Sequence, residues 1–225
     1  MPDPPRYRRL AYRHRVCRRI FEMGDAAKRG GIRTWNQATA YSKPNGWGVV
    51  VVPKNAPTLF LFGTVPRSVM ASFKRRKQYI FMLEAAAQCI AMWVFWPELA
   101  PRFWGFCDNT AAEGALWKGH SKDEEASMIA SLFWMVAART GVAPWIDRVP
   151  THLQLADEVS RQDTKKAVEA GWVNAKCELA PMWQLLKRWL KAKLHPSMCH
   201  AEELLKTTAK IRRRAGLATP ALPTV

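Results

Sequence analysis

Acidic side chains are scarce in this chain. Only 18 Asp and Glu stand against 35 Lys and Arg among 225 residues, a formal net charge of +17. A balance this one-sided points to an anionic partner, most often nucleic acid. Cysteine motifs are missing as well. Cys17, Cys89, Cys107, Cys177 and Cys199 are odd in number, scattered and free of any Cys-x-x-Cys. That excludes a disulfide scaffold and a zinc ribbon, and Cys199-His200 has no second pair with which to hold a metal. The pattern fits a reducing compartment and an intracellular protein, nuclear or cytoplasmic. No apolar run is long enough for a membrane span: Ala85 to Trp96, interrupted by Gln88, is the best, where roughly 20 residues are needed. Disorder of the whole chain is excluded by an apolar content of 48%.

The positive charge is unevenly placed. Residues 1–35 carry 10 basic and 3 acidic side chains, residues 36–161 carry 13 and 10, and residues 162–225 carry 12 and 5. A nearly balanced middle is flanked by two basic arms, as in enzymes whose arms hold phosphates while the middle keeps carboxylates for chemistry. The Arg-rich start also has one trait of an organelle transit peptide, but almost no Ser. The expected organisation is a basic arm over 1–15, a domain over 16–161 and a basic helical extension over 162–225.

Val16 to Met23 reads as a first strand and the Gly- and Pro-punctuated stretch from Lys28 to Asn45 as a long loop. Gly46 to Val52 and Thr58 to Val65 are β-branched or aromatic runs around the turn-like Lys54-Asn55-Ala56-Pro57, which predicts an antiparallel hairpin. Apolar spacing predicts a helix over 74–96. A buried strand over Arg102–Cys107, helices over Thr110–Lys118 and Ser121–Thr140, a strand over Pro144–Val149 and a short helix from Ala156 follow. Ser121 and Glu124 have capping-box spacing. Beyond Arg161 the chain reads as helical, without a strand. A meander followed by alternating elements implies an α/β domain with helices on a mixed sheet.

Four acids stand at suggestive places: Asp25 after the first strand, Glu84 inside an apolar helix, Asp108 at the end of a buried strand and Asp157 at the start of a short helix. Each has a plainer role available. Asp108 could cap the next helix, Asp157 could favour a helix start through the dipole, and Asp25 could be a turn residue. Glu84 is harder to explain so, because a buried carboxylate costs several kcal/mol unless it is paired, with Lys77 for example, or bound to metal. Together the four suit phosphodiester hydrolysis, in which two Mg²⁺ ions about 4 Å apart activate water and relieve charge on the leaving oxygen. Mg²⁺ needs oxygen ligands converging from several elements.

Phe106-Cys107-Asp108-Asn109-Thr110-Ala111-Ala112, then Lys118-Gly119-His120-Ser121, then Val149-Pro150-Thr151-His152-Leu153-Gln154-Leu155-Ala156-Asp157-Glu158-Val159-Ser160-Arg161 resemble, in this order, the ribonuclease H-like region that follows the reverse transcriptase in retroelement polyproteins. Lys77 to Glu84 is similar to the family's Glu-bearing helix, and Gly46-Trp47-Gly48 to its second strand. The resemblance covers about 16–161. It implies a ribonuclease H-like fold with a five-stranded mixed sheet and cleavage of the RNA strand of an RNA–DNA hybrid with two Mg²⁺, or Mn²⁺. Glu84, Asp108 and Asp157 match the family's metal-binding acids. Asp25 and Asp108 would share the metals, Glu84 would hold the one near the leaving oxygen, and Asp157 would help place the other. The family's first acid sits in Asp-Ala-Ser/Thr shortly before the Gly-Trp element. Asp25-Ala26-Ala27 matches with an enlarged hairpin loop. Gln37-Ala38-Thr39 has the usual spacing but no acid, which would leave the set one ligand short and the domain a decayed nucleic-acid binder. His152 would lie beside substrate phosphate or on a surface loop. An integrase of the same fold would want a final Glu on a long helix. An upstream reverse transcriptase domain is an implied partner.

Overall fold

The computed structural model describes residues 35–41, 46–74, 79–99, 101–193 and 196–221. Its centre is a mixed sheet. Strand β1 (Trp35–Tyr41) runs antiparallel to β2 (Gly46–Val52), and β2 runs antiparallel to β3 (Leu59–Thr64). On its other edge β1 pairs in parallel with β4 (Arg102–Cys107), which pairs in parallel with β5 (Ala143–Arg148). A two-residue β6 (Val173–Asn174) lies parallel to β3, so the order is β5-β4-β1-β2-β3-β6.

Alternation along the strands buries both faces. Val49, Val51, Leu59, Leu61, Phe103 and Ile146 enter the main core, whereas Val50 and Phe60 enter a smaller cluster on the opposite face. A four-residue helix, α1 (Arg67–Met70), follows the hairpin. The main core is built on α2 (Ile80–Leu99), which is buried almost all round from Met82 to Trp96. A helix apolar on every side belongs inside a protein or a membrane. By length and composition this one could cross a membrane, and 83% of its apolar window is buried inside the protein. Pro97 lacks the N–H that would bond one turn back, and the backbone departs from helical geometry two residues earlier, at Phe95 (φ −111°, ψ 17°).

Helix α3 (Thr110–Lys118) is capped by Asn109, whose side chain accepts from the Ala111 and Ala112 N–H groups, and it stops at Gly119 (φ 73°). Helix α4 (Glu124–Thr140) is capped by Asp123 and stops at Gly141 (φ 69°). Two short helices, α5 (Ala156–Ser160) and α6 (Lys165–Glu169), serve the second face, where Ala156, Val159 and Ala167 pack with Val50 and Phe60. Helices α7 (Ala180–Ala192) and α8 (Met198–Arg214) return to the main core through Met182, Trp183, Leu186, Trp189, Leu204, Leu205 and Ile211.

The end of α8 is clasped to α2. Arg212, fully buried, forms two bonds to the Glu98 carboxylate (2.7 and 2.8 Å) and donates to Val94 O at 2.6 Å and Ala218 O. A guanidinium is tolerated there because its planar fork meets a carboxylate and two carbonyls.

Several expectations are corrected. The polar stretch from Lys28 to Asn45 contains β1: pairing on both edges, rather than hydrophobic alternation of its own, makes Trp35–Tyr41 a strand. Val16–Met23 and the 1–15 arm lie outside the described residues. Among the described residues the sheet has six strands and not five, because β6 joins an edge from beyond Arg161, where only helices were expected. Helix α2 begins at Ile80, six residues after the expected start at Lys74. The described helices within residues 162–225 contribute to the main core. One compact unit runs from Thr34 to Val225, since α7 and α8 complete the main core.

Helix α5 rests directly on the backbone of β2. A Cβ on Gly46 would lie 2.4 Å from Ser160 O, and one on Gly48 would lie 2.5 Å from Ser160 N and 2.8 Å from Ala156 O. Only glycine admits so close an approach. Gly48→Val is expected to destabilise the fold by about 1–3 kcal/mol, because the obstacle is backbone. Gly114→Ala in α3, where a Cβ meets nothing within 4 Å, is expected to stabilise by roughly 0.5–1 kcal/mol. Urea unfolding of the two variants measures both.

Candidate active site

The chain turns from β4 into α3 at Asp108-Asn109. Asn109 performs the capping, so the half-buried Asp108 is not the cap of α3. The end of β4 is fastened to α2 by Gln88, whose Nε2 donates to Phe106 O at 2.5 Å. Glu84 lies one turn earlier on the same helix, so both side chains share the face that meets β4. Glu84 is 4% exposed. Asp108 and the Asn109 backbone both act on its carboxyl, and its buried Oε2 makes no hydrogen bond.

Burial pushes the Glu84 carboxyl up to a pKa of about 9, and the charge and proton-sharing contact of Asp108 and the more distant charge of Asp157 add to the shift. Two carboxyls this close cannot both ionise in a dry site without a cation between them. The same surroundings raise the Cys107 thiol, first through burial and then through Glu84. Asp157 sits in the first turn of α5, half-buried, with Arg161 Nη2 2.9 Å from its Oδ2. The seat of α5 on the β2 glycines fixes the short helix that bears Asp157. Glu84, on a helix, thus feels the charge of Asp108 at a strand end and, more weakly, of Asp157 on a second helix.

Asp25 lies outside the described residues. Gln37 lies in β1, level with Val50 of β2 and Phe106 of β4, two positions before Asp108. The strand that flanks β4 is thus the one carrying Gln37-Ala38-Thr39. Among the described residues no group of three or more His, Cys, Asp or Glu is arranged to hold a metal ion. Two features of these residues nonetheless fit a hard divalent cation: carboxyls close enough to raise the Glu84 pKa, and a buried Glu84 oxygen without a partner. The position on β1 does not add an acid to them.

Sequence reading passed over Gln88 and Asp147. Gln88 and Glu84, four positions apart, are the two polar residues of the apolar run from Phe81 to Trp96, and that spacing was the available signal. Asp147, on β5 level with Phe106, is 7% exposed and accepts from the Arg148 N–H at 2.8 Å. The side chain of His152 lies outside the described residues. The expected capping box at Ser121 is replaced by Asp123, which accepts from the Glu125 and Ala126 N–H groups.

No protein-family model matches the chain, and no curated protein or solved structure does.

Proposed function

We propose that this is a ribonuclease H-like domain, of retroelement type, that hydrolyses the RNA strand of an RNA–DNA hybrid with divalent cations. The observation that carries the reading is the buried Glu84 under the charge of Asp108, with Asp157 acting on it more weakly, at the end of β4. The strand order supports it: an antiparallel β1–β2–β3 meander is followed by β4 and β5 in parallel with β1. Net charge of +17 supports a nucleic-acid partner.

Glu84, Asp108 and Asp157, with Asp25 as the fourth acid, would hold Mg²⁺ or Mn²⁺, which supplies an activated water and charge relief at the leaving oxygen. The protein's own work is positional. Gln88 fixes the strand end that presents Asp108. The Asn109 cap fixes the first turn after it, and Gly46 and Gly48 set the height of Asp157 above the sheet. RNA is told from DNA by its 2′-hydroxyl, read from the minor groove.

A second reading is favoured by one observation, the place of Gln37 in β1: a catalytically decayed copy that keeps the fold and binds nucleic acid. A labelled hybrid incubated with Mg²⁺, Mn²⁺ or EDTA separates the two. The hydrolytic reading expects cation-dependent cleavage that Asp25→Asn removes and Gln37→Asp changes little. Absence of cleavage by the wild type, with binding retained, establishes decay, and cleavage gained by Gln37→Asp then identifies the missing ligand.

A further inference from the structure

The structure sorts the cations of residues 162–225 into those with work inside the protein and those without. Arg212 is buried against Glu98, Arg188 pairs with Glu203, and Lys166 pairs with Glu158. Lys206, Lys210, Arg213 and Arg214 are different. All four are exposed, and none has an ion pair with a described residue. Their spacing of four, three and one residues puts them on one side of α8. The opposite side, with Ala201, Leu204, Leu205, Thr208, Ile211 and Arg212, is buried. The two acids of α8 do not neutralise the stripe, because Glu202 faces Arg139 and Glu203 faces Arg188.

A favourable interaction with the helix dipole accounts for Arg213 and Arg214 in the last turn, but not for Lys206 and Lys210. Nor is α8 built to lie on a membrane, since its apolar side is already spent on the core and nothing remains to insert. The stripe spans about 12 Å of helix, close to the axial rise of three to four base pairs. It is held still by the Arg212 clasp, so little order is lost when a rigid polyanion docks.

We propose that the Lys206–Lys210–Arg213–Arg214 face of α8 is a docking surface for the phosphate backbone of a nucleic-acid duplex. The proposal rests on the nucleic-acid reading above and adds where the backbone is gripped. Arg212 anchors the stripe beside Val94 and Glu98, 10 to 14 residues along α2 from Glu84. At about 1.5 Å per residue this separates grip and acid cluster by roughly 15–20 Å. The contact is therefore remote from the acids, and charge removal here leaves them untouched.

The test is hybrid binding by the full chain in EDTA, which excludes cleavage, followed across a salt series. Replacing Lys206, Lys210, Arg213 and Arg214 together by Gln is expected to raise Kd about tenfold or more and to flatten the slope of log Kd against log salt by about 2–3. A control replaces four scattered exposed lysines, Lys54, Lys122, Lys165 and Lys176, by Gln. It removes the same charge and is expected to lose much less. Circular dichroism confirms that both variants fold. Equal losses in the two variants would mean that only total charge matters, and would overturn the proposal. Unchanged binding by the α8 variant overturns it while leaving the nucleic-acid reading intact. Failure of the wild type to bind hybrid overturns both.

Discussion

Asp108→Asn is expected to abolish cation-dependent cleavage of an RNA–DNA hybrid and, at the same time, to stabilise the cation-free fold. The loss should reach at least about 10³-fold in rate, roughly 4 kcal/mol of barrier, because one carboxylate charge is removed from the centre where developing charge must be met. The opposite effect on stability follows from the geometry. Asp108 caps no helix, since Asn109 does. Its carboxyl faces Glu84 in a buried setting, and an amide there can donate to the Glu84 carboxylate instead of competing with it for a proton. Raised unfolding resistance at pH 8 together with lost cleavage is the pattern of an acid kept for chemistry at a cost to the fold. Lowered stability would instead mark Asp108 as a structural acid, and undiminished cleavage would remove it from the site.

The second large effect concerns pH. Folding moves Glu84 from its ordinary pKa of 4.5 to about 9. Between those values the folded chain holds a proton that the unfolded chain has released. The cation-free protein therefore loses stability through this group as pH rises from about 5 to 9, with a limiting slope of about 1.4 kcal/mol per pH unit. Below about pH 4.5 both states are protonated and the effect vanishes. Glu84→Gln, which cannot ionise, should remove that slope, so that the variant gains on the wild type steadily toward alkaline pH. Mn²⁺ should reverse the wild-type trend. A cation that binds by displacing the shared proton binds more tightly as pH rises, and its stabilising increment grows with pH. Urea titrations of both proteins from pH 5 to 9, with Mn²⁺ or with EDTA, read all of this. A wild-type slope equal to that of Glu84→Gln would show that the carboxyl is not held neutral by the fold.

Much of the architecture could be read from residue order because it rests on local signals. The Gly-Trp-Gly-Val run and its neighbour form β2 and β3 around a short turn, Arg102–Cys107 is β4, and Gly119 and Gly141 end their helices. Strand β1 could not be read in this way. Its Trp-Asn-Gln-Ala-Thr-Ala-Tyr lacks a β-branched run, and partners on both edges decide its conformation. Strand β6 is two residues long and depends wholly on β3. Of the acids, Glu84 stood out because charge is costly in an apolar helix. Asp108 and Asp157 were visible through motif order, and their influence on Glu84 needed the fold. Strand β1 carries Gln37-Ala38-Thr39, whereas Asp25 lies outside the described residues, so the choice between the two for the first acidic position stays as the sequence left it.

The position of β1 between the two halves of the sheet also bears on the route by which the chain assembles. Its antiparallel partner follows within a few residues, so β1, β2 and β3 can associate as soon as they leave the ribosome. Its parallel partner begins only at Arg102, after the whole of α2 has been made, and closing so long a loop is entropically slow. Until then one edge of a three-stranded ribbon stands open, and Lys74 to Lys77 form a cationic cluster just before the helix that must arrive next. Like charges of this kind discourage two nascent ribbons from joining edge to edge. Slowing translation just after residue 107, while β4 is still inside the ribosome, should then favour aggregate over monomeric product.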